Sequence, residues 1–381
     1  MENQQLTSEP SFHVLRFPFR PLDYTLSDNL PRLPSDWSFL PRPSTTPFPF
    51  LDRLPPELFH IIISQLDLAS LHALRRTNRR AAELLYSHCE YNTLITHAWD
   101  AVRGALCIDT AKIITCRQLH EKLCAEKCDG CGDFGGYLYL LTCKRVCFVC
   151  FSERKRYFPV PPSLACRKYW ISSEVIDTLP HMKIMPGVYS PARVASVESV
   201  FVDSESALNA ALEIHGSSDV MTETVIEKEM ERINDYSRRR YEASFSEEGP
   251  GPFNEFPEVF LSRCDERVNN PHRFLAIVPA PWVNKAKQLT EQGFHCIGCE
   301  DLEKMPFHHR RRFTATSFEE HLEECGEINQ GKHANFRSEN DPDEDQGDDQ
   351  GEDQGEDPDD EDPRMRNLGQ LEMMALFRLW F

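Results

Sequence analysis

Between residues 51 and 91 the apolar positions recur at helical spacing. Leu58, Ile61 and Ile62 follow Pro55-Pro56-Glu57, and proline at a helix start gives up only an N–H that would lack a partner there. Leu68, Leu71 and Leu74 form a second set behind Asp67. Ala81, Leu84, Leu85 and His88 form a third behind Asn78. Asp and Asn are favoured N-caps because their side-chain oxygens accept from the orphaned N–H groups of the first turn. Three short helices in roughly 40 residues bury little, so the unit is expected to lean on a neighbour or partner. Residues 92–127 read as further helical connections. Tyr137-Leu138-Tyr139-Leu140 reads as a strand. In the mixed region 185–290, Ala207–His215 and Val225–Arg240 read as helices, with a Gly-Pro-Gly-Pro break at 249–252.

The flanks lack such periodicity. Residues 1–50 hold nine prolines, too many for a helix or a central strand. This arm is expected to be mostly disordered, with extended pieces that pack locally. The net charge of −19 is uneven, because Glu339 to Pro363 holds 15 acids and no base. The rest of the chain, with 46 acidic against 42 basic residues, is nearly neutral, which is not the signature of a nucleic-acid surface. The acidic segment is expected to be a disordered, solvated tail. No secretory leader, membrane span or prenylation Cys is legible. The expected compartment is therefore reducing, cytoplasm and/or nucleus, where clustered cysteines bind metal more often than they pair.

Fourteen cysteines are present, and two groups have metal-ligand spacing. Cys128-x2-Cys131, fifteen residues, then Cys147-x2-Cys150 is the spacing of a four-Cys zinc site. Each Cys-x2-Cys turn aims two thiolates at one point, and two turns complete a tetrahedron. Gly132 supplies the positive φ of the first turn. Cys143 is an alternative to Cys147, and Cys124 and Cys166 fall outside the pattern as buried thiols. The second group is Cys296-x2-Cys299 with His321-x3-Cys325. His321 and Cys325 share one face of a helix that Thr316 or Ser317 can cap. Phe294, Phe313 and Phe318 are positioned as the core of a small ββα finger. His308 and His309 are competing ligands beside Arg310-Arg311-Arg312. Four protein ligands leave no place for water, so both zinc ions are expected to be structural. Five Cys in 128–150 do not make the eight interleaved ligands of a RING centre. Four carboxylates on the finger helix, Glu319, Glu320, Glu323 and Glu324, oppose a phosphate backbone. Phosphate-binding glycine loops, G-x-S-x-G and H-E-x-x-H are absent, so no enzyme chemistry is expected.

Leu54-Pro55-x-Glu57-Leu58, Ile61 and Ile62, Leu66, Leu68, Leu71, Leu74, Arg75-Arg76-x-Asn78-Arg79 and Leu84 resemble an F-box. Pro56 in the opening turn and the lack of Trp in the third helix depart from its commonest pattern. The order of an F-box, Cys-x2-Cys, Tyr137-Leu-Tyr-Leu, Arg145-Val-Cys147-x2-Cys150, Leu179-Pro180 to Pro186-Gly187-x-Tyr189 and a late Cys-x2-Cys…His-x3-Cys unit resembles a group of fungal F-box proteins, over roughly 50–330. The resemblance implies a non-catalytic substrate receptor of an SCF-type ubiquitin ligase, docking a Skp-type adaptor and its cullin complex and presenting a protein target. Leu54, Pro55, Leu58, Ile61 and Leu71 are the expected adaptor contacts. Two other readings are a zinc-binding regulator acting on chromatin or nucleic acid, and a non-degradative scaffold. The expected fold is α+β and multi-module. Its parts are a Pro-rich arm (1–50), a three-helix F-box (51–91), and a mixed α/β region with the four-Cys zinc site at 128–150 (92–290). A zinc-finger-like unit with three Cys and one His as ligands (291–328), an acidic tail (329–363) and an apolar C-terminal segment (364–381) follow.

Overall fold

The computed structural model describes residues 23–32, 52–190, 193–195, 199–243, 271–286, 289–299, 308–329 and 332–333. The chain divides into two compact units, Met1–Phe336 and Arg337–Phe381. The second lies outside the described residues, and with it the expected apolar C-terminal segment and most of the expected acidic tail; Asn329, Lys332 and His333, expected in that tail, are instead strand residues. The Gly-Pro-Gly-Pro break and most of the proline-rich arm also lie outside them.

Within that arm, residues 23–32 are packed rather than disordered. Thr25 and Asp28 form a capping box around α1 (Leu26–Asn29), Leu26 is fully buried, and Asn29 Oδ1 accepts from the Val188 N–H at 2.7 Å. An apolar side chain and a cap are enough to order a short segment against an existing core.

The three expected helices follow as α2 (Pro56–Gln65), α3 (Leu68–Thr77) and α4 (Arg79–Ser87). Both caps act as the local sequence requires: Asp67 accepts from the Ser70 N–H at 2.8 Å, and Asn78 from that of Ala81 at 2.7 Å. Then come α5 (Cys89–His97), α6 (Trp99–Cys107) and α7 (Cys116–Cys124). His88 caps α5 through Nδ1, which accepts from the Tyr91 N–H, while its Nε2 donates to the His60 carbonyl. That pair of bonds fixes the neutral tautomer, and burial pushes His88 below the ordinary histidine range.

The mixed region begins with β1 (Tyr137–Tyr139) and β2 (Lys144–Val146), joined by a turn in which Cys143 takes a positive φ. Next are α8 (Phe148–Glu153), α9 (Pro162–Tyr169), α10 (Ser173–Asp177), β3 (His181–Lys183), β4 (Gly187–Ser190), β5 (Arg193–Ala195) and β6 (Val200–Val202). They are followed by α11 (Ser204–His215), α12 (Ser218–Ala243), β7 (Ile277–Pro279), β8 (Trp282–Asn284) and β9 (Leu289–Glu291). The last elements are α13 (Ala315–Cys325), β10 (Ile328–Asn329) and β11 (Lys332–His333). β1 is the middle of an antiparallel sheet ordered β2-β1-β7, with Leu138 opposite both Arg145 and Val278. β3–β6, β4–β5, β8–β9 and β10–β11 are separate antiparallel pairs. A central strand is covered on both faces, which is why Tyr137, Leu138 and Tyr139 are all buried without alternation.

One apolar core runs from Leu26 through Phe59, Leu71 and Leu85 to Leu138 and Ala280. The helical unit α2–α4 therefore leans on α5–α7 and the sheet, as its small size requires. Where the end of α7 meets the sheet lies Arg145, with no exposed surface. Nε donates to the Gly135 carbonyl at 2.6 Å, Nη1 to those of Lys122, Leu123 and Pro281 at 3.1, 3.3 and 3.1 Å, and Nη2 to that of Ala280 at 3.2 Å. Burial pushes the guanidinium down to about 10. Among the described residues no helix is long and apolar enough to cross a membrane.

Candidate functional site: an apolar helix face and two metal-ligand clusters

The first surface lies on α2. Phe59 and Ile63, four apart, are buried in the core. Leu58, Ile61 and Ile62 point the other way, with 51, 56 and 43% of their surfaces exposed. Pro55 is exposed beside them and Leu54 is half-buried. Leu71, expected as a partner contact, is instead fully buried. It faces inward on α3 with Leu68, and no partner can reach it without opening the core. Three large aliphatic side chains left in water on one face of one helix mark an interaction surface rather than scatter.

The second feature is built by two turns and the sheet. Cys128 and Cys131 flank a turn closed by the Gly132 N–H on the Cys128 carbonyl at 3.0 Å, with Gly132 at φ +87°. Cys147 and Cys150 sit at the start of α8, immediately after β2. The four sulfurs all lie within 4.8 Å of one another, and Cys131 Sγ and Cys147 Sγ are 3.5 Å apart. Zn–S bonds near 2.3 Å imply S···S edges of about 3.8 Å, so the set closes on one ion without large movement. Backbone N–H groups of Gly130 and Cys147 donate to Cys128 Sγ at 3.3 and 3.2 Å, and that of Cys150 to Cys147 Sγ at 3.4 Å. Such donors favour thiolates. The neighbouring thiols, Cys131 first, hold Cys128 well below the usual thiol range, while Cys128 first drives Cys147 and Cys150 upward. Four thiols that cannot all ionise together are what a dication reconciles. Cys143 stands outside this set, its thiol pushed up to about 12, mainly by burial.

The third feature differs from its expected composition. Cys296, Cys299, His321 and His333 present one ligand atom each within 4.8 Å of one another, and all four are buried. His333 Nε2 lies 3.3 Å from Cys296 Sγ, 3.5 Å from Cys299 Sγ and 3.1 Å from His321 Nε2, and Cys299 Sγ is 3.4 Å from His321 Nε2. A tetrahedral ion with ordinary Zn–S and Zn–N bonds needs S···N edges of about 3.5 Å and N···N edges of about 3.3 Å. His333 Nδ1 donates to the Gly326 carbonyl at 2.8 Å, which turns Nε2 toward the site. Gly298 leaves room for this ring, since a Cβ there would meet it at 2.8 Å. Cys325 lies behind His321 instead, with Sγ 3.5 Å from Nδ1, and groups with His308 and His321. Thr314, not Thr316 or Ser317, caps α13 by accepting from the Ser317 N–H. Phe294, Phe313 and Phe318 form the expected small core, with Phe313 stacked on the His321 ring at 4.3 Å.

The nearby arginines hold this module to the rest of the fold. Arg310 pairs with Asp23 and lies 4.2 Å over the Phe148 ring. Arg311 pairs with Asp133 at 3.1 Å. Arg312 donates to the Tyr137 hydroxyl at 3.2 Å and covers its ring. Glu319, Glu320, Glu323 and Glu324 form the exposed face of α13. His88, Glu90 and Cys116 also converge, but both His88 nitrogens are already used in hydrogen bonds.

Residues 51–93 match the F-box domain model. The chain carries an F-box. No curated protein and no solved structure matches the chain. F-box domains generally bind a Skp-type adaptor in SCF ubiquitin ligases, and F-box proteins are generally non-catalytic adaptors. The exposed α2 face belongs to this F-box, and both Cys/His clusters lie beyond it.

Proposed function

We propose that this protein is the substrate-recognition subunit of an SCF-type ubiquitin ligase. The observation that carries this reading is the F-box at 51–93 whose first helix leaves Leu58, Ile61 and Ile62 in water. Those side chains, with Leu54 and Pro55 beside them, bury against a Skp-type adaptor. The region beyond 93 holds a protein target near the ubiquitin-loaded conjugating enzyme, raising its effective concentration. The chemistry belongs to other subunits.

In this reading the four-Cys set and the Cys296, Cys299, His321 and His333 set each hold a structural zinc. Thiolate and imidazole donors in closed tetrahedra suit that ion. Each zinc contributes on the order of 10–16 kcal/mol of apparent binding energy to folding. That is substantial for the second module, whose core rests on three phenylalanines. The arginine engagements and the carboxylate face of α13 favour protein recognition over nucleic-acid binding.

Size-exclusion chromatography of the full chain with a purified Skp-type adaptor and cullin tests the assignment. Co-elution in equal amounts is expected. Zinc-loaded, folded protein that elutes apart from the adaptor would remove the ligase role.

A further inference from the structure

His321 has two ring nitrogens, and the structure engages them with different neighbours. Nε2 faces Cys299 and His333 in the four-donor set. Nδ1 faces Cys325 Sγ at 3.5 Å, close to the S···N edge of about 3.5 Å that one ion would span. His308, on the turn His308–Arg310, completes a second group with His321 and Cys325, their ligand atoms within 4.8 Å of one another. His308 is 8% exposed, and its Nε2 is buried with no hydrogen-bond partner among the described residues.

An N–H from His321 to the Cys325 sulfur would account for that cysteine alone. It leaves His308 unexplained, and a buried polar atom with no partner is destabilising. A ligand on the three donors explains all of them. We propose that the second module binds a further dication at His308 Nε2, Cys325 Sγ and His321 Nδ1, adjoining the first ion and sharing the His321 ring as a bridge. The proposal rests on the reading that Cys296, Cys299, His321 and His333 hold the first ion.

The charges balance. Two dications meet the thiolates of Cys296, Cys299 and Cys325 and the imidazolate of His321, with His308 and His333 neutral. The Cys325 and His321 protons leave to solvent as the further ion binds, as deprotonation of ligands requires. One thiolate and two imidazole nitrogens suit zinc and its borderline-soft neighbours. Three protein donors leave a fourth position open to water or an exogenous ligand, which distinguishes this site from the two closed ones. It therefore binds its ion more weakly than they do.

Zinc titration of the metal-stripped, reduced full chain, read with a chromophoric indicator, tests this. Wild type is expected to take up three equivalents, the third released first to a weak chelator. His308→Ala is expected to take up two, with the two tight equivalents unchanged. Two equivalents in wild type, or three retained in folded His308→Ala, would overturn the further ion and leave the four-donor reading standing. One equivalent in wild type would overturn the further ion, and none would overturn both. If His308→Ala does not fold, a cobalt(II) titration of wild type decides. The third equivalent must add the charge-transfer absorption of one further thiolate, and its absence refutes the proposal.

Discussion

Replacing Arg145 with methionine keeps most of the apolar stem and removes the guanidinium that five backbone carbonyls share. Those carbonyls come from the end of α7, from the turn after Cys131, and from the two residues that follow β7. Charge-assisted bonds contribute about 1.5–3 kcal/mol each, so the gross loss is on the order of 7–15 kcal/mol. Two effects offset it. Burial pushes Arg145 to about 10, against about 12.5 in water, so relieving the buried charge returns roughly 3 kcal/mol. Water entering the vacated space re-satisfies the carbonyls nearest the surface, those of Lys122 and Pro281. The expected net loss is about 4 kcal/mol, in line with breaking a buried charged network. At ~2–4 °C per kcal/mol for a fold of this size, circular-dichroism melts should show a midpoint lowered by roughly 8–16 °C. Arg145→Lys should fall between, because one ammonium cannot reach all five oxygens. Metal content should stay that of wild type, since every thiol is retained. A methionine variant within about 1 kcal/mol of wild type would refute the assignment of Arg145 as the joint between α7 and the sheet.

Two further outcomes follow from the same geometry. Cys128→Ser, or chelation of wild type, should melt the 128–150 module, seen as lost near-ultraviolet signal from Tyr137, Tyr139 and Tyr157; a metal-free sample with an unchanged melt would contradict this. Lowering the pH should destabilise the F-box side of the core through His88. Burial holds His88 below its unfolded value, so the unfolded chain takes up the proton first. That stability is therefore complete above about pH 6.5 and declines below it. His88→Asn keeps an N-cap without a titrating group and should flatten urea-derived stability between pH 7.5 and 5.5, whereas an unchanged slope would show that His88 is not the cause.

Features set by near neighbours were legible in the sequence. Asp67 and Asn78 could be read as caps because a cap needs only the next three residues, and Gly132 because its turn is local. The strand at Tyr137–Tyr139 and the three Cys-x2-Cys pairs follow for the same reason. Which face of α2 turns inward was not legible. Phe59 and Ile63 make one apolar stripe, Leu58, Ile61 and Ile62 another, and only the packed neighbours choose between them. The burial of Leu71 has the same origin. His333 stands 34 positions beyond Cys299 in a two-residue strand, while the helical pair His321 and Cys325 offers a ready-made spacing. Its one local signal is Gly326, which ends α13 and turns the chain back. The roles of Arg145 and Arg310–Arg312 were not legible, because nothing local marks the carbonyls, rings and carboxylates that receive them.

The most direct test of the central claim is calorimetric titration of a Skp-type adaptor into wild type and into Leu58→Ala/Ile61→Ala. Both side chains already stand in water on α2, so the fold should be unaffected. Each has about half of its surface left to bury, and fully burying such a side chain contributes ~1.5–3 kcal/mol. Losing both contacts therefore weakens binding by roughly 1.5–3 kcal/mol, or about 10- to 150-fold. Tight wild-type binding reduced to that extent is the predicted result. Equal affinity for folded wild type and variant would contradict the assigned docking face, and no binding by wild type would contradict the ligase role itself.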